Sequence, residues 1–166
     1  MKLSLLFLLL LATKLSLASD FYLAENPLPE NVKTVQAVES LPNNPNAYKT
    51  DLGVTSRCYK GKTTLVLSTN DLGQGYEFRE MPPEKVKCLT INKNKTFSNK
   101  ANISLYTKKE DVLRLLNAPQ TSDKATLLYN QKKTINGKSV DEQVWVDVEF
   151  NNNLLVRLSV FASITQ

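Results

Sequence analysis

Histidine is absent from this sequence of 166 residues, and cysteine occurs only twice. The lack of histidine excludes Ser-His-Asp triads, Cys-His pairs and every metal site with a histidine ligand. Two cysteines are too few for a zinc site made of cysteine alone. With 42% hydrophobic and 22% charged residues, the chain can nevertheless bury a core. The length favours one domain, or two very small ones.

The first 18 residues have the pattern of a secretory signal peptide. Lys2 precedes an apolar run over 3–11, and Ser16 and Ala18 are the small residues that a cleavage site requires. The run is shorter than the roughly 20 residues of a membrane span; a retained interfacial anchor is the alternative. No cysteine lies near the cleavage point. The sequence thus predicts cleavage after Ala18 and a periplasmic or secreted protein without a lipid anchor.

Export changes the interpretation of the two cysteines, Cys58 and Cys88. An isolated pair in an oxidising compartment is expected to form a disulfide. Closing a loop of about 30 residues would stabilise the fold by roughly 3–4 kcal/mol on the chain-entropy model. A redox role would need a close Cys-x-x-Cys pair, which the sequence lacks.

Lysine is concentrated in residues 85–109, which contain seven lysines and no acidic residue. Such a block can bind a polyanion by releasing counterions, but export makes nucleic acid an unsuitable partner. A solvated lysine-rich loop is one interpretation. The other is weak contact with an anionic membrane or cell-wall surface. The lysines that would make this contact are Lys85, Lys87, Lys93, Lys95 and Lys100.

The mature chain divides into three segments by composition. Residues 19–57 form a proline-punctuated arm, with turn chemistry at 43–46. Residues 58–98 contain three strand candidates, at 63–69, 76–81 and 86–91, and predict a β meander tied by the disulfide. Residues 99–166 contain a helix signal followed by three further strand candidates.

The helix signal starts at Thr107, whose hydroxyl and the Glu110 carboxylate would form a capping box. Val112 and Leu116 lie on one apolar stripe, and Asn117 is suited to a left-handed end. The pattern predicts one helix of about ten residues.

Period-2 alternation marks the strands at 125–130, 144–150 and 154–162. The first two are joined through an Asn136-Gly137 turn, and the last two through Asn151-Asn152-Asn153. The fold class expected is α+β, with an N-terminal β meander followed by a helix packed on a three-stranded antiparallel sheet.

Residues 106–112, 115–119 and 148–158 together resemble the SmpA/OmlA-type domain. This domain occurs in small outer-membrane assembly lipoproteins, and β-lactamase-inhibitor proteins have a similar fold. Residues 58–75 also resemble uncharacterised exported bacterial proteins that carry such a domain. The resemblance implies protein–protein contact for residues 99–166 and no catalytic residues, although Asn117 stands where the family has glycine.

Two patterns suggest catalysis, and neither is persuasive. Gly61-Lys62-Thr63 ends like a phosphate-binding loop, but Ser56 occupies the place of the required first glycine. Asp147 and Glu149 could act as paired carboxylates, yet neighbours two apart on an alternating strand normally form a solvent face. We therefore expect no enzyme activity, no cofactor and no metal.

The function expected is an exported, non-enzymatic protein-binding or structural module of the cell envelope. The alternatives are a secreted inhibitor of a hydrolase and a hydrolase with a lysine- or carboxylate-based site. The partner would be an envelope or secreted protein. Its contact surface is predicted on the sheet face opposite the apolar rows, unless residues 20–50 cover that face. The residues predicted there are Trp145, Leu155, Arg157 and Phe161, with Tyr129 as an addition.

Overall fold

The computed structural model describes residues 20–49 and 53–165, so the predicted signal peptide and its cleavage site after Ala18 lie outside the described residues. The described chain contains one α-helix, α1 (Lys109–Leu115), and two short 3₁₀ turns, Glu30–Val32 and Val38–Ser40. Its strands are β1 (Asp20–Leu23), β2 (Ala47–Lys49), β3 (Thr55–Lys60), β4 (Thr64–Thr69), β5 (Gly73–Arg79), β6 (Leu89–Thr90), β7 (Lys124–Ile135), β8 (Lys138–Asn151) and β9 (Leu154–Thr165).

These nine strands form a single mixed sheet in the order β1-β7-β8-β9-β5-β4-β3-β2, with β6 beside β3. The pairs β1–β7 and β3–β6 are parallel, and the other pairs are antiparallel. The expected α+β fold class, an N-terminal β meander followed by a helix packed on a three-stranded antiparallel sheet, is therefore wrong. The two strand groups join because β5 pairs with β9 along seven residues, from Gly73–Ser163 to Arg79–Arg157. This pairing satisfies backbone groups that a three-stranded sheet would leave unpaired at its β9 edge.

Both predicted tight turns of the C-terminal strands are confirmed. The β7–β8 hairpin turns at Asn136 and Gly137, with φ of 50° and 77°, and the β8–β9 hairpin turns at Asn152 and Asn153, with φ of 50° and 60°. Two successive positive φ values match the right-handed twist of the strands that they connect. Asparagine and glycine adopt them readily, which explains why the sequence signals this part of the fold clearly.

Helix α1 is shorter than expected, and the predicted capping box does not form. The N-cap is Lys108, which makes no capping hydrogen bond with its side chain. The Thr107 hydroxyl instead donates to the Ser104 carbonyl oxygen at 2.8 Å. The helix nevertheless ends as predicted, with Asn117 in the left-handed region at a φ of 53°.

One face of the sheet, called the inner face, is covered by α1, by residues 97–105 and by residues 28–35. Tyr76 on β5 donates its hydroxyl to the Val32 carbonyl at 2.5 Å, and Asn99 donates to the Tyr76 hydroxyl oxygen at 2.9 Å. Part of the proline-rich arm is thereby fixed to the inner face. The buried cluster includes Leu28, Val32, Val35, Tyr76, Phe78, Phe97, Ile103, Leu105, Val112, Leu113, Leu116, Leu127, Tyr129, Val144, Val146, Val148, Leu158 and Val160.

The predicted disulfide between Cys58 and Cys88 is confirmed. Cys58 is fully buried on β3, and the bond connects this strand to the segment that leads into β6. The strand expected at 86–91 is reduced to Leu89–Thr90, which pairs in parallel with Tyr59 and Lys60. The bond thus fastens a segment that has very few ladder hydrogen bonds of its own.

Candidate functional site

The opposite, outer face of the sheet carries a row of apolar side chains across its centre. Leu23, Leu128, Trp145 and Phe161 are successive register partners on β1, β7, β8 and β9. Phe21 joins them, with its ring centroid 6.2 Å from that of Trp145. We call these five residues the outer band. Three of them are strongly exposed: Phe21 by 58%, Leu23 by 63% and Trp145 by 40%.

The band exists because strand alternation and strand pairing place these residues on one side. Parallel pairing of β1 with β7 puts Phe21 opposite Thr126 and Leu23 opposite Leu128. At the other end, the Phe161 ring lies against Gly75, the next residue in the row. A Cβ atom at Gly75 would clash with the Val160 carbonyl oxygen and lie 2.7 Å from the Phe161 Cδ2 atom, so this position requires glycine.

A charged and polar border adjoins the band on one side. The Thr126 hydroxyl donates to the Asp147 carboxylate at 2.6 Å, and Arg157 donates through Nε to Glu77 at 2.8 Å. The hydrogen bond to Glu77 raises the pKa of the Arg157 guanidinium. Burial lowers this pKa, but the negative charges of Glu77, Asp147 and Glu149 raise it further, and the net shift is upward. The hydroxyl of Thr126 on the neighbouring strand therefore fixes the position of the Asp147 carboxylate.

Amide side chains border the other side of the band. Gln143 donates to Asn130 at 3.1 Å across the β7–β8 pair. An apolar centre with polar groups on both sides is the arrangement found in protein–protein interfaces.

The structure places two of the predicted interface residues, Trp145 and Phe161, within the band, and Arg157 at its border. Leu155 is fully buried and does not lie on this face. The reason is a register shift after Glu149, which pairs Phe150 with Leu155 and turns Leu155 inward.

Tyr129 also lies in the core, where its hydroxyl donates to the Leu116 carbonyl at 2.7 Å. Burial raises the pKa of this phenol. The alternative placed residues 20–50 over the outer face, but the described part of this arm, 20–49, does not cover the band. Residues 28–35 pack on the inner face, and β1 extends the sheet at its edge with Phe21 and Leu23 exposed. Sequence reasoning missed Phe21 and Leu23, although their alternation in a short apolar stretch was a usable signal.

The inner face contains a second feature, a groove between residues 30–38 and strands β4 and β5. Two adjoining cavities of about 320 and 240 Å³ form this groove. They share Lys33, Thr34, Thr69 and Gln74 in their walls.

A buried ion pair closes one side of the groove. The Lys33 ammonium lies 2.7 Å from the Glu142 carboxylate, and the two side chains are 6% and 2% exposed. Gln131 donates a further hydrogen bond to Glu142 at 2.8 Å, and Lys33 also pairs with Glu30. These contacts anchor the first 3₁₀ turn to the β7–β8 hairpin.

The ion pair shifts the pKa values of both partners. Burial by itself raises the pKa of the Glu142 carboxyl, but the hydrogen bonds from Lys33 and Gln131 and the charges of Lys33 and Lys133 together outweigh it, so the pKa is lowered. For Lys33, burial lowers the pKa of the ammonium group, whereas the bonds to Glu142 and Glu30 raise it, and the net shift is upward. Both groups therefore stay charged at neutral pH.

The lysines predicted to touch an anionic surface are not part of the outer band and belong to the chain between β5 and α1. Lys85, Lys87, Lys93 and Lys100 are exposed, while Lys95 is half-buried. The Lys95 backbone carbonyl accepts a hydrogen bond from the Lys62 amide at 2.8 Å, which fixes this loop beside β3 and β4. Contact of these lysines with an anionic surface stays a prediction.

Within residues 20–49 and 53–165, no group of three or more acidic or cysteine side chains is placed to hold a metal ion. The same part of the chain has no helix with the length and apolar character needed to cross a membrane. Comparisons of the chain with protein-family models, with curated proteins and with solved structures gave no match.

Proposed function

We propose that the chain is an exported, non-enzymatic protein-binding module of the cell envelope, and that the outer band is its contact surface. The observation that carries this proposal is the contrast between the two faces of the sheet. The inner face is covered by other parts of the chain, while Phe21, Leu23 and Trp145 on the outer face remain 58%, 63% and 40% exposed. A contiguous exposed apolar patch with a polar border typically marks an interaction site.

The composition of the band supports a protein partner. Tryptophan and arginine are among the residues that contribute most to binding energy in protein interfaces, and Trp145 and Arg157 lie in the band and at its border. The rigid sheet would present them with little loss of conformational freedom on binding.

Two sequence features support the rest of the proposal. The apolar run at 3–11 after Lys2 favours export. The resemblance of residues 106–112, 115–119 and 148–158 to SmpA/OmlA-type domains, whose role is protein contact, favours a binding function.

The test is a cross-linking experiment in the exported fraction, followed by binding measurements with the purified partner. The variant Phe21→Ser/Trp145→Ser removes the aromatic part of the band. The matched control is Met81→Ser, which removes a 67% exposed apolar side chain outside the band. We expect the band variant to fold and to lose partner binding by tenfold or more, about 1.4 kcal/mol, while the control keeps it. Equal binding by both variants would refute the assignment of the surface.

A further inference from the structure

The smaller of the two groove cavities, of about 240 Å³, differs from the larger one in the charge of its walls. Among the described residues that line it, Lys33 and Arg57 are cationic and none is acidic. Lys33 is already paired with Glu142 and Glu30. Arg57 is exposed on β3, and no described residue forms an ion pair with it.

The rest of the wall is largely apolar. Leu67 is the register partner of Arg57 on β4 and is only partly buried. Val38 faces it from the second 3₁₀ turn and is also partly buried, while Val35 and Tyr76 close the floor. Apolar groups thus line the cavity beside the Arg57 guanidinium, for which the described residues provide no ion-pair partner.

We propose that this cavity binds a small amphipathic carboxylate. The carboxylate group pairs with the Arg57 guanidinium, whose planar arrangement of donors matches two carboxylate oxygens. The alkyl chain lies against Leu67, Val38 and Val35, from which it displaces water. This site is separate from the outer band, because it opens on the other face of the sheet.

Isothermal titration of the full chain with octanoate tests the proposal. Octanol has the same chain length without the charge, octylamine carries the opposite charge, and butyrate has the charge with a short chain. We expect saturable binding of octanoate with a dissociation constant below about 1 mM, and weaker or no binding of the other three. Equal binding of octanol would show that the cation plays no part, and absence of octanoate binding would overturn the proposal.

The variant Arg57→Gln tests the residue assignment. Arg57 is exposed, so the variant is expected to fold, and its unfolding midpoint checks this. We expect octanoate binding to weaken about tenfold, the effect of losing a charge-assisted hydrogen bond. The matched control is Lys60→Gln, which removes an exposed cation from the same strand but outside the cavity. If Arg57→Gln and Lys60→Gln weaken octanoate binding equally, the effect comes from the overall charge of the protein, which would contradict a site at Arg57.

Discussion

Replacing Glu142 by glutamine tests the role of the buried ion pair in holding the arm on the sheet. The side chains of Glu142 and Lys33 are 2% and 6% exposed and 2.7 Å apart, so the change leaves a buried ammonium without its main partner. Breaking a buried pair in this way costs about 3–5 kcal/mol. Because Glu30 still pairs with Lys33, we expect a loss near the lower limit, about 3 kcal/mol.

The neighbouring residue on β8 provides a matched control. Asp141 pairs with Lys132 at 3.5 Å, but these side chains are 69% and 76% exposed. An exposed pair contributes about 0–1 kcal/mol, so Asp141→Asn should change the stability little. Urea unfolding of the wild-type protein and both variants, followed by circular dichroism, gives the free energies. Similar losses in the two variants, or a loss below about 1 kcal/mol for Glu142→Gln, would refute the reasoning.

The same pair predicts how stability depends on pH. The pKa of Glu142 is lower in the folded protein than its value of 4.5 in the unfolded chain. The contribution of Glu142 to folding stability is therefore complete above pH 4.5 and is lost as the pH falls through the lower pKa of the folded state. The pKa of Lys33 is raised, so its contribution is present below 10.5 and is lost as the pH rises through the higher folded value. We therefore expect the stability difference between wild type and Glu142→Gln to be constant near neutrality and to shrink below pH 4.5. A difference that grows on acidification would contradict the assigned sign.

Three further predictions concern other parts of the fold. Replacing Cys58 and Cys88 by serine should lower the free energy of unfolding by roughly 3–4 kcal/mol, as measured by urea unfolding. Reducing the disulfide of the wild-type protein should lower this free energy by a similar amount, and an unchanged value in both cases would contradict the prediction. Tyr129→Phe should cost about 1–3 kcal/mol, because the buried Leu116 carbonyl loses its donor, and an unchanged midpoint would contradict this. Trp145→Ala should cost only about 1 kcal/mol in the same assay, since the side chain is 40% exposed, and a loss above about 3 kcal/mol would mean that the outer band is a core.

Local chemistry made parts of this protein predictable. The Asn136-Gly137 and Asn152-Asn153 turns follow from residues that adopt positive φ easily, and the alternation of Val144, Val146 and Val148 places these three side chains in the core. The disulfide between Cys58 and Cys88 followed from the cysteine number together with the predicted export, because an isolated pair in an oxidising compartment has only one bonding option. Each of these predictions depends on residues that are close in the sequence or on the number of cysteines.

The candidate sites were predictable only in part. Alternation identified Trp145 and Phe161 as residues on the face opposite the apolar rows. The bulge after Glu149 turns the Leu155 side chain to the inner face, which alternation did not predict. A single inserted residue reverses which side of a strand faces the core, and its position depends on the partner strand.

What only the tertiary structure decided is the set of contacts between distant segments. The pairing of β5 with β9 merged two expected units into one sheet, and the parallel pairing of β1 with β7 brought Phe21 beside Trp145. Lys33 binds Glu142 across 109 residues, and this contact joins the arm to the inner face together with the buried Val32 and Val35. Sequence periodicity shows which face of a strand is apolar. The choice of the segment that covers it depends on the competition among all such faces of the folded chain, and no local pattern contains that information.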